Sequence, residues 1–384
     1  MAPKTVIARP IEVCLRVIGV WPNSSCKLFQ RIFWAIVMGV CTTFQIWYCI
    51  SYFKTADLPD LLDGLSVTLS NTVTFIKLII FWLNYRTLYN VLTIVFEDWN
   101  NRALTDRNKQ FMLDSALISV RISNFLVAIY SLTCILYSVT TMFVSDDTGA
   151  QSSSSNRKLL LKMRFPFEAT VSPLYEVITV AQFMFEYSVA FMAGMLMALS
   201  AALVLHTGSQ IDITCQELLE ISNTCEEEAS RMLKNIIVKH QRIIYLSENI
   251  NNLFLYTSLA QFLLNTLVIC FLGFILVHSL GTEEGPTILA KWFPYYVTVN
   301  CEALVLCYTG EYLMSKSESI SRAAYDMLWY NLNPRDGRIV LLILARAQMH
   351  LKLTAGKFVI LCMETFANML KASASYISIL LAMY

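Results

Sequence analysis

The chain has 384 residues, of which 56% are hydrophobic and only 15% charged, with a net charge of +1. A soluble domain carries about a quarter charged residues, so this balance excludes one soluble core under a polar skin. It implies a polytopic membrane protein. No basic cluster with interleaved aromatics occurs, which excludes a nucleic-acid footprint.

The first 30 residues are basic and contain Pro3, Pro10 and Pro22. No clean apolar run leads to a small-residue cleavage site, so the first spanning helix is expected to act as a signal anchor. At about 20 apolar residues per crossing, seven spans are predicted, near 32–52, 65–85, 122–144, 175–205, 255–278, 293–314 and 357–384. The fourth is long enough to project beyond the bilayer as a helix.

Lys and Arg set the orientation. With the N-terminus in the cytoplasm, the outer segments hold only Lys54, Arg157, Lys158, Lys162, Arg164 and Lys291. Lys77 and Lys371 lie inside spans, and every other one of the 29 basic residues falls on an inner segment. Seven crossings then put Tyr384 outside. The sequon Asn23-Ser24-Ser25 falls on the cytoplasmic side, where it goes unused. None of the 11 cysteines sits clearly in an outer loop, so no extracellular disulfide framework is expected.

The outer loop 145–174 begins with SDDTGAQSSSSNRK, a flexible polar stretch, and continues through Arg164, Pro166, Pro173 and Tyr175. Those four residues suggest a lid leading back into the fourth span. The inner segment 206–254 repeats Met232, Leu233, Ile236, Ile237, Ile243 and Ile244 at helical spacing, with charges on other faces. It is expected to meet the inner segment 315–356, where Ile339, Leu342, Ile343, Ala345 and Leu353 follow Pro334. Together they predict a cytoplasmic helical anchor layer within a single membrane domain spanning 1–384. Helices lying on the lipid surface are the alternative.

No enzyme motif appears. The four histidines are scattered, and there is no H-E-x-x-H, Walker A loop, G-x-G-x-x-G, G-x-S-x-G or C-x-x-C. Neither a catalytic site, a metal nor a cofactor is expected. Aromatic and small polar residues instead gather in the outer halves of four spans. These are Ser70, Asn71, Thr74 and Phe75; Tyr130, Thr133 and Tyr137; Phe183, Met184 and Tyr187; and Tyr295, Tyr296, Val299 and Asn300. An apolar cleft with a few hydroxyl or amide groups suits a small, mostly hydrophobic ligand. Lys77 within the second span is expected to snorkel toward an interface or to meet a carbonyl or an acid, for which Glu302 and Glu186 are the candidates.

The last span holds Glu364 and Lys371 in an otherwise apolar run. An ionisable group at membrane depth costs on the order of a few kcal/mol and usually faces a protein interior or a water-filled path. A pore or a packed seam is expected there.

The chain resembles the insect odorant receptors. The residues that carry the resemblance lie mostly in the last third: Cys307-Tyr308-Thr309-Gly310, Ser317, Ile320, Ala324-Tyr325 and Trp329-Tyr330, then Arg346-Ala347-Gln348 and Leu353-Thr354-Ala355-Gly356-Lys357-Phe358. Phe366, Leu370-Lys371-Ala372-Ser373 and Ser375-Tyr376 complete that set, and Ile76-Lys77-Leu78 with Phe81-Trp82 adds to it in the second span. His350 departs from the family pattern, which commonly has proline before the T-A-G-K-F string. The Q-F ending of gustatory receptors is absent, and the second inner loop is much shorter than the co-receptor's, so the resemblance is to a tuning subunit.

The resemblance implies an all-α fold of seven transmembrane helices, N-terminus inside and C-terminus outside, in the plasma membrane of a sensory neuron dendrite. It also implies a non-selective cation channel, opened by a volatile or hydrophobic odorant and built as a heterotetramer with the odorant receptor co-receptor. The cytoplasmic layer would be the assembly interface and the seventh helices (357–384) would line the pore. The family's hydrophobic gate falls at Ile379, with Ser375 and Ser378 beside the path and Lys371 expected to face away from the axis or into a wide vestibule. The alternatives are a gustatory-type receptor channel, or a G-protein-coupled receptor. The latter needs the opposite orientation and lacks D-R-Y and N-P-x-x-Y motifs in the required places.

Overall fold

The computed structural model describes residues 9–21, 27–55, 58–101, 105–149, 159–280 and 285–383. The sequon and residues 150–158 of the Ser-rich outer loop lie outside the described residues, while 145–149 continue the helix that begins at Asp106. A bilayer supplies no hydrogen bonds to the backbone, so the apolar runs satisfy themselves as helices. The spans lie in α2 (Lys27–Tyr52), α3 (Leu58–Leu83), α5 (Asp106–Gly149), α6 (Leu174–Glu220), α7 (Glu226–Ser279), α8 (Gly285–Asp326) and α10 (Met363–Met383). The remaining helices are α1 (Arg9–Val17), α4 (Tyr85–Asn100) and α9 (Pro334–Ala347).

By length and hydropathy, α2, α3, α5, α6 and α7 qualify as spans among the described residues. The other two carry charge: Lys291 and Glu302 in α8, Glu364 and Lys371 in α10. Burial orders the bundle. The apolar window of α6 is 78% buried and that of α2 only 17%, so α6 is the central post and α2 faces lipid.

Helices α5 to α8 run 44, 47, 54 and 42 residues. At 1.5 Å per residue each is roughly twice the ~30 Å hydrocarbon core, so each continues well beyond it. On the side that the basic residues mark as cytoplasmic, α6 reverses into α7 through a 3-10 turn at Ile221–Asn223. There Leu233, Ile236, Ile243, Leu246 and Ile250 of α7 are buried, while Met232, Ile237 and Ile244 pack half-buried.

Ion pairs tie this layer together. Lys316 contacts both oxygens of Asp212 at 2.7 Å, Lys239 pairs with Glu217, and Arg242 reaches Glu97 at 3.0 Å and Asp98 at 2.9 Å. Helix α9 starts at Pro334 with Asn333 as its cap, and Ser230 of α7 donates to its Asp336 at 3.2 Å. Helix α4 is the layer's unexpected member: sequence placed 86–121 in a loop, whereas Leu88, Val91, Leu92 and Val95 form its buried stripe. It follows α3 directly at Asn84, whose side chain donates to the Ile80 carbonyl and diverts the chain.

The seventh span starts later than the sequence suggests. Residues Thr354–Ala355 and Val359–Ile360 pair as a two-stranded hairpin, with Gly356 at φ +61° and Lys357 at φ +65° in the turn. Two consecutive left-handed residues cannot continue a helix, so α10 begins only at Met363. The hairpin docks on α7, where Thr354 donates to the Asn251 side chain at 2.8 Å and the Gly356 N–H to the Leu255 carbonyl at 3.1 Å.

On the outer side, segment 159–173 lies across the ends of α2, α3 and α6. Gln182 of α6 brackets the Leu161 backbone with two hydrogen bonds, and the Arg164 N–H reaches the Phe44 carbonyl. Lys162 bridges Asp60 at 2.8 Å and Asp63 at 3.2 Å. Burial alone would lower the Lys162 pKa, but the two aspartates outweigh it and hold the ammonium above the ordinary lysine range.

Candidate functional site

In the outer half of the bundle, four helices turn the same pattern toward one cavity of about 80 Å³. Helix α3 offers Val67, Ser70, Asn71 and Thr74; α5 offers Tyr130, Thr133, Cys134 and Tyr137; α6 offers Glu186, Val189, Ala190 and Ala193; α8 offers Tyr295, Thr298, Val299 and Glu302. Each set is spaced i, i+3, i+4, i+7, the spacing that puts side chains on one face of a helix. Val73 of α3 and Asn265 of α7 complete the lining. At ~10–15 Å³ per enclosed water the space equals about six waters, so it fits a small molecule.

Most polar groups around the cavity already hold partners. Ser70 and Tyr295 share a hydroxyl–hydroxyl bond, and Tyr295 also donates to the Ser66 carbonyl. Thr133 and Thr298 meet at 2.7 Å, and both lie within reach of the Pro294 carbonyl inside α8, so one hydroxyl donates to the carbonyl and the other to its partner hydroxyl. Lys77 donates to Glu302 at 2.8 Å, and Asn265 donates to its other oxygen at 3.3 Å. This resolves the partner of Lys77 in favour of Glu302. Glu186 accepts instead from Asn71 at 3.1 Å. The buried Tyr130 hydroxyl lies beside the Glu302 carboxylate without a hydrogen bond of good geometry.

The outer wall is aromatic. Tyr137 and Trp292 meet edge to face, and the Lys291 ammonium sits 4.6 Å from both ring centres while pairing with Asp63 at 3.3 Å.

Of the residues that sequence singled out, Ser70, Asn71, Thr74, Tyr130, Thr133, Tyr137, Tyr295 and Val299 line this cavity. The others do not. Phe75 is half-buried against the apolar core, and Phe183 lies 6.2 Å from Tyr187, whose hydroxyl bonds Ser131. Met184 is 58% exposed, Tyr296 packs near Gly273 of α7, and Asn300 donates to the Tyr296 carbonyl. Composition marks the outer half of a helix but not its face: Phe75, Tyr187 and Tyr296 each fall about 100° from a cavity-lining neighbour. The lining residues that sequence missed on those four helices, Glu186, Val189, Ala190, Ala193 and Thr298 among them, follow from the shared spacing comb, whereas Asn265 of α7 stands outside it.

Helix α10 lies against α7 and α8 through Met369, Ser373 and Ile377, whose side chain fills the space beside Gly273. Its opposite face is exposed in the single chain and carries Glu364, Lys371, Ser375, Ser378 and Ile379. At about 100° per residue, Lys371 is roughly 20° from Ser378 and 40° from Ser375. Lys371 therefore shares the serine face instead of pointing away from it.

Residues 57–374 match the family described as 7tm Odorant receptor. Odorant receptor 85b of Drosophila melanogaster is 30% identical over 155 residues, covering 40% of this chain and 39% of that protein. Odorant receptor 13a of the same fly is 23% identical over the full chain and 97% of its own length. The matched stretch thus spans about two fifths of the more similar relatives and nearly all of the more distant one. Among solved structures, the insect olfactory receptor OR5 from Machilis hrabei in complex with eugenol superposes with a TM-score of 0.81 at 16% identity, covering 97% of both chains. With the family match running from α3 through five of the seven spans and into the last, this chain belongs to the odorant receptor family of seven-helix membrane proteins.

Proposed function

We propose that the chain is a tuning subunit of an odorant-gated, non-selective cation channel in the plasma membrane of a sensory dendrite, assembled with the odorant receptor co-receptor. The outer cavity holds the odorant, and the exposed face of α10 lines the pore, with Ile379 as gate. The observation that carries this reading is the convergence of four helix faces on one largely apolar space in the outer half of the bundle. A cavity there is connected to α10 by contiguous packing. Glu302 meets Asn265 of α7, and two turns further along α7 Gly273 receives Ile377 of α10.

The mechanism is a shift of population. An odorant that fits the cavity better when α8 and α7 have moved with α10 favours the open state in proportion to that differential affinity. Ile379 then leaves the axis, and a pore closed by dewetting fills.

Currents from cells expressing this chain with the co-receptor test the reading. Val299→Trp places an indole in the cavity and is expected to abolish odorant-evoked current while surface expression persists. A Val299→Trp variant that responds like the parent overturns the cavity as the odorant site.

A further inference from the structure

We infer that Glu186 selects the ligand: the cavity takes a small, mostly apolar molecule bearing a hydroxyl, which donates to the Glu186 carboxyl. This rests on the reading of the cavity as the odorant site. The inference follows from which acceptors remain open. Glu302 is occupied on both oxygens, by Lys77 and by Asn265. The hydroxyls of Ser70, Tyr295, Thr133 and Thr298 are engaged with one another or with backbone carbonyls. Glu186 shows one partner, the Asn71 amide on Oε2, and no cation pairs with it among the described residues.

A carboxyl facing an apolar space with an open oxygen is a strong acceptor awaiting a donor, and leaving it unmet is unfavourable. Asn71 fixes its direction, because the same amide also donates to Gln45 of α2 at 3.4 Å. The acceptor is therefore held in place before a ligand arrives.

The choice of hydroxyl over ammonium follows from counting donors. An ammonium brings three N–H groups that each need an acceptor, while the wall opens one carboxyl oxygen apart from the Glu302 carboxylate, which Lys77 and Asn265 already occupy. A hydroxyl donates once and is satisfied. Its own oxygen is an acceptor, and the buried Tyr130 hydroxyl, which lacks a well-aligned partner, is a donor on the same wall. An ester or ether of equal size has no hydrogen to give Glu186.

The test uses the full chain with its co-receptor in voltage-clamped cells and a matched series of one carbon skeleton: the primary alcohol, its methyl ether and the amine. The alcohol is expected to act at concentrations about tenfold or more below the ether, the ratio that one hydrogen bond to a carboxyl supplies. Glu186→Met is expected to bring alcohol and ether to within about threefold while the ether response survives, which also shows that the variant folds and gates. Glu186→Gln keeps an acceptor oxygen and should retain part of the preference.

Three results overturn the inference: an alcohol response no stronger than the ether's, an amine as potent as the alcohol, or Glu186→Met and Glu186→Gln both discriminating as the parent does. If Val299→Trp silences every ligand while Glu186→Met leaves selectivity intact, the cavity stands and the role of Glu186 falls. If Val299→Trp changes nothing, it is the site itself that falls.

Discussion

At the scale of single residues, Lys77 and Glu302 decide the most. Lys77 is 3% and Glu302 8% exposed, and they join α3 to α8 under the floor of the cavity. A buried pair gives little net stability, because desolvation offsets most of the attraction; removing one partner is different, since it strands a charge. Lys77→Met is therefore expected to destabilise the protein by about 3–5 kcal/mol. The double variant Lys77→Met/Glu302→Met should recover most of that loss. Thermal unfolding of the detergent-solubilised chain measures both, and a single variant as stable as the parent would show that the pair is solvated. Sequence offered two carboxylates for Lys77 and no means of choosing, since the choice depends on helix rotation that one chain does not encode locally. The structure gives Glu302 to Lys77 and leaves Glu186 for the cavity.

At the scale of elements, close approaches without side chains fix how α10 sits. A Cβ on Gly310 of α8 would collide with the backbone carbonyl of Leu361, just before α10 begins. A backbone atom held by the hairpin cannot rotate away, because the Leu361 N–H is bonded to the Leu353 carbonyl at 3.0 Å. Gly310→Ala is thus expected to destabilise by about 1–3 kcal/mol or more, as overpacking does, and to lower surface yield measured by biotinylation. Gly273 contrasts with it, since there the obstacle is the tip of the Ile377 side chain, which can move. Equal losses for Gly310→Ala and Gly273→Ala would contradict this distinction.

The seven spans were legible as apolar runs, five of them by length and hydropathy alone, because a bilayer leaves helices as the solution for each long apolar run. Helix α4 and the hairpin were not. The first is a short amphipathic helix among loop-like polar residues, with Leu88, Val91, Leu92 and Val95 as its only stripe. The second is created by Gly356 and Lys357 in left-handed conformations inside a segment whose apolar residues read as span. Of the cavity, sequence gave the right depth on four helices but mixed their faces, since Phe183, Met184 and Tyr296 are as aromatic or apolar as the residues that line it.

At the scale of the whole molecule, a single chain leaves two surfaces without cover. In the cytoplasmic layer Leu342 is 71% and Phe358 87% exposed, apolar side chains that suit the proposed assembly with a second subunit. On α10 the open face mixes Lys371 and Glu364 with Ser375, Ser378 and Ile379. A lipid-facing surface would not carry two charges and two hydroxyls in one stripe, whereas a wall facing water in an oligomer would. The large exposed apolar group among them at 54%, Ile379, lies closer to the outer end than either charge. A narrow ring of such side chains excludes water until the helices part. Ile379→Ser is expected to raise odorant-independent current severalfold with the co-receptor present, and Lys371→Gln, by removing a positive charge from the proposed cation path, to increase single-channel conductance. If Ile379→Ser leaves basal current unchanged and Lys371→Gln leaves conductance unchanged, this face of α10 does not line the pore, and its charges belong to a contact between subunits instead.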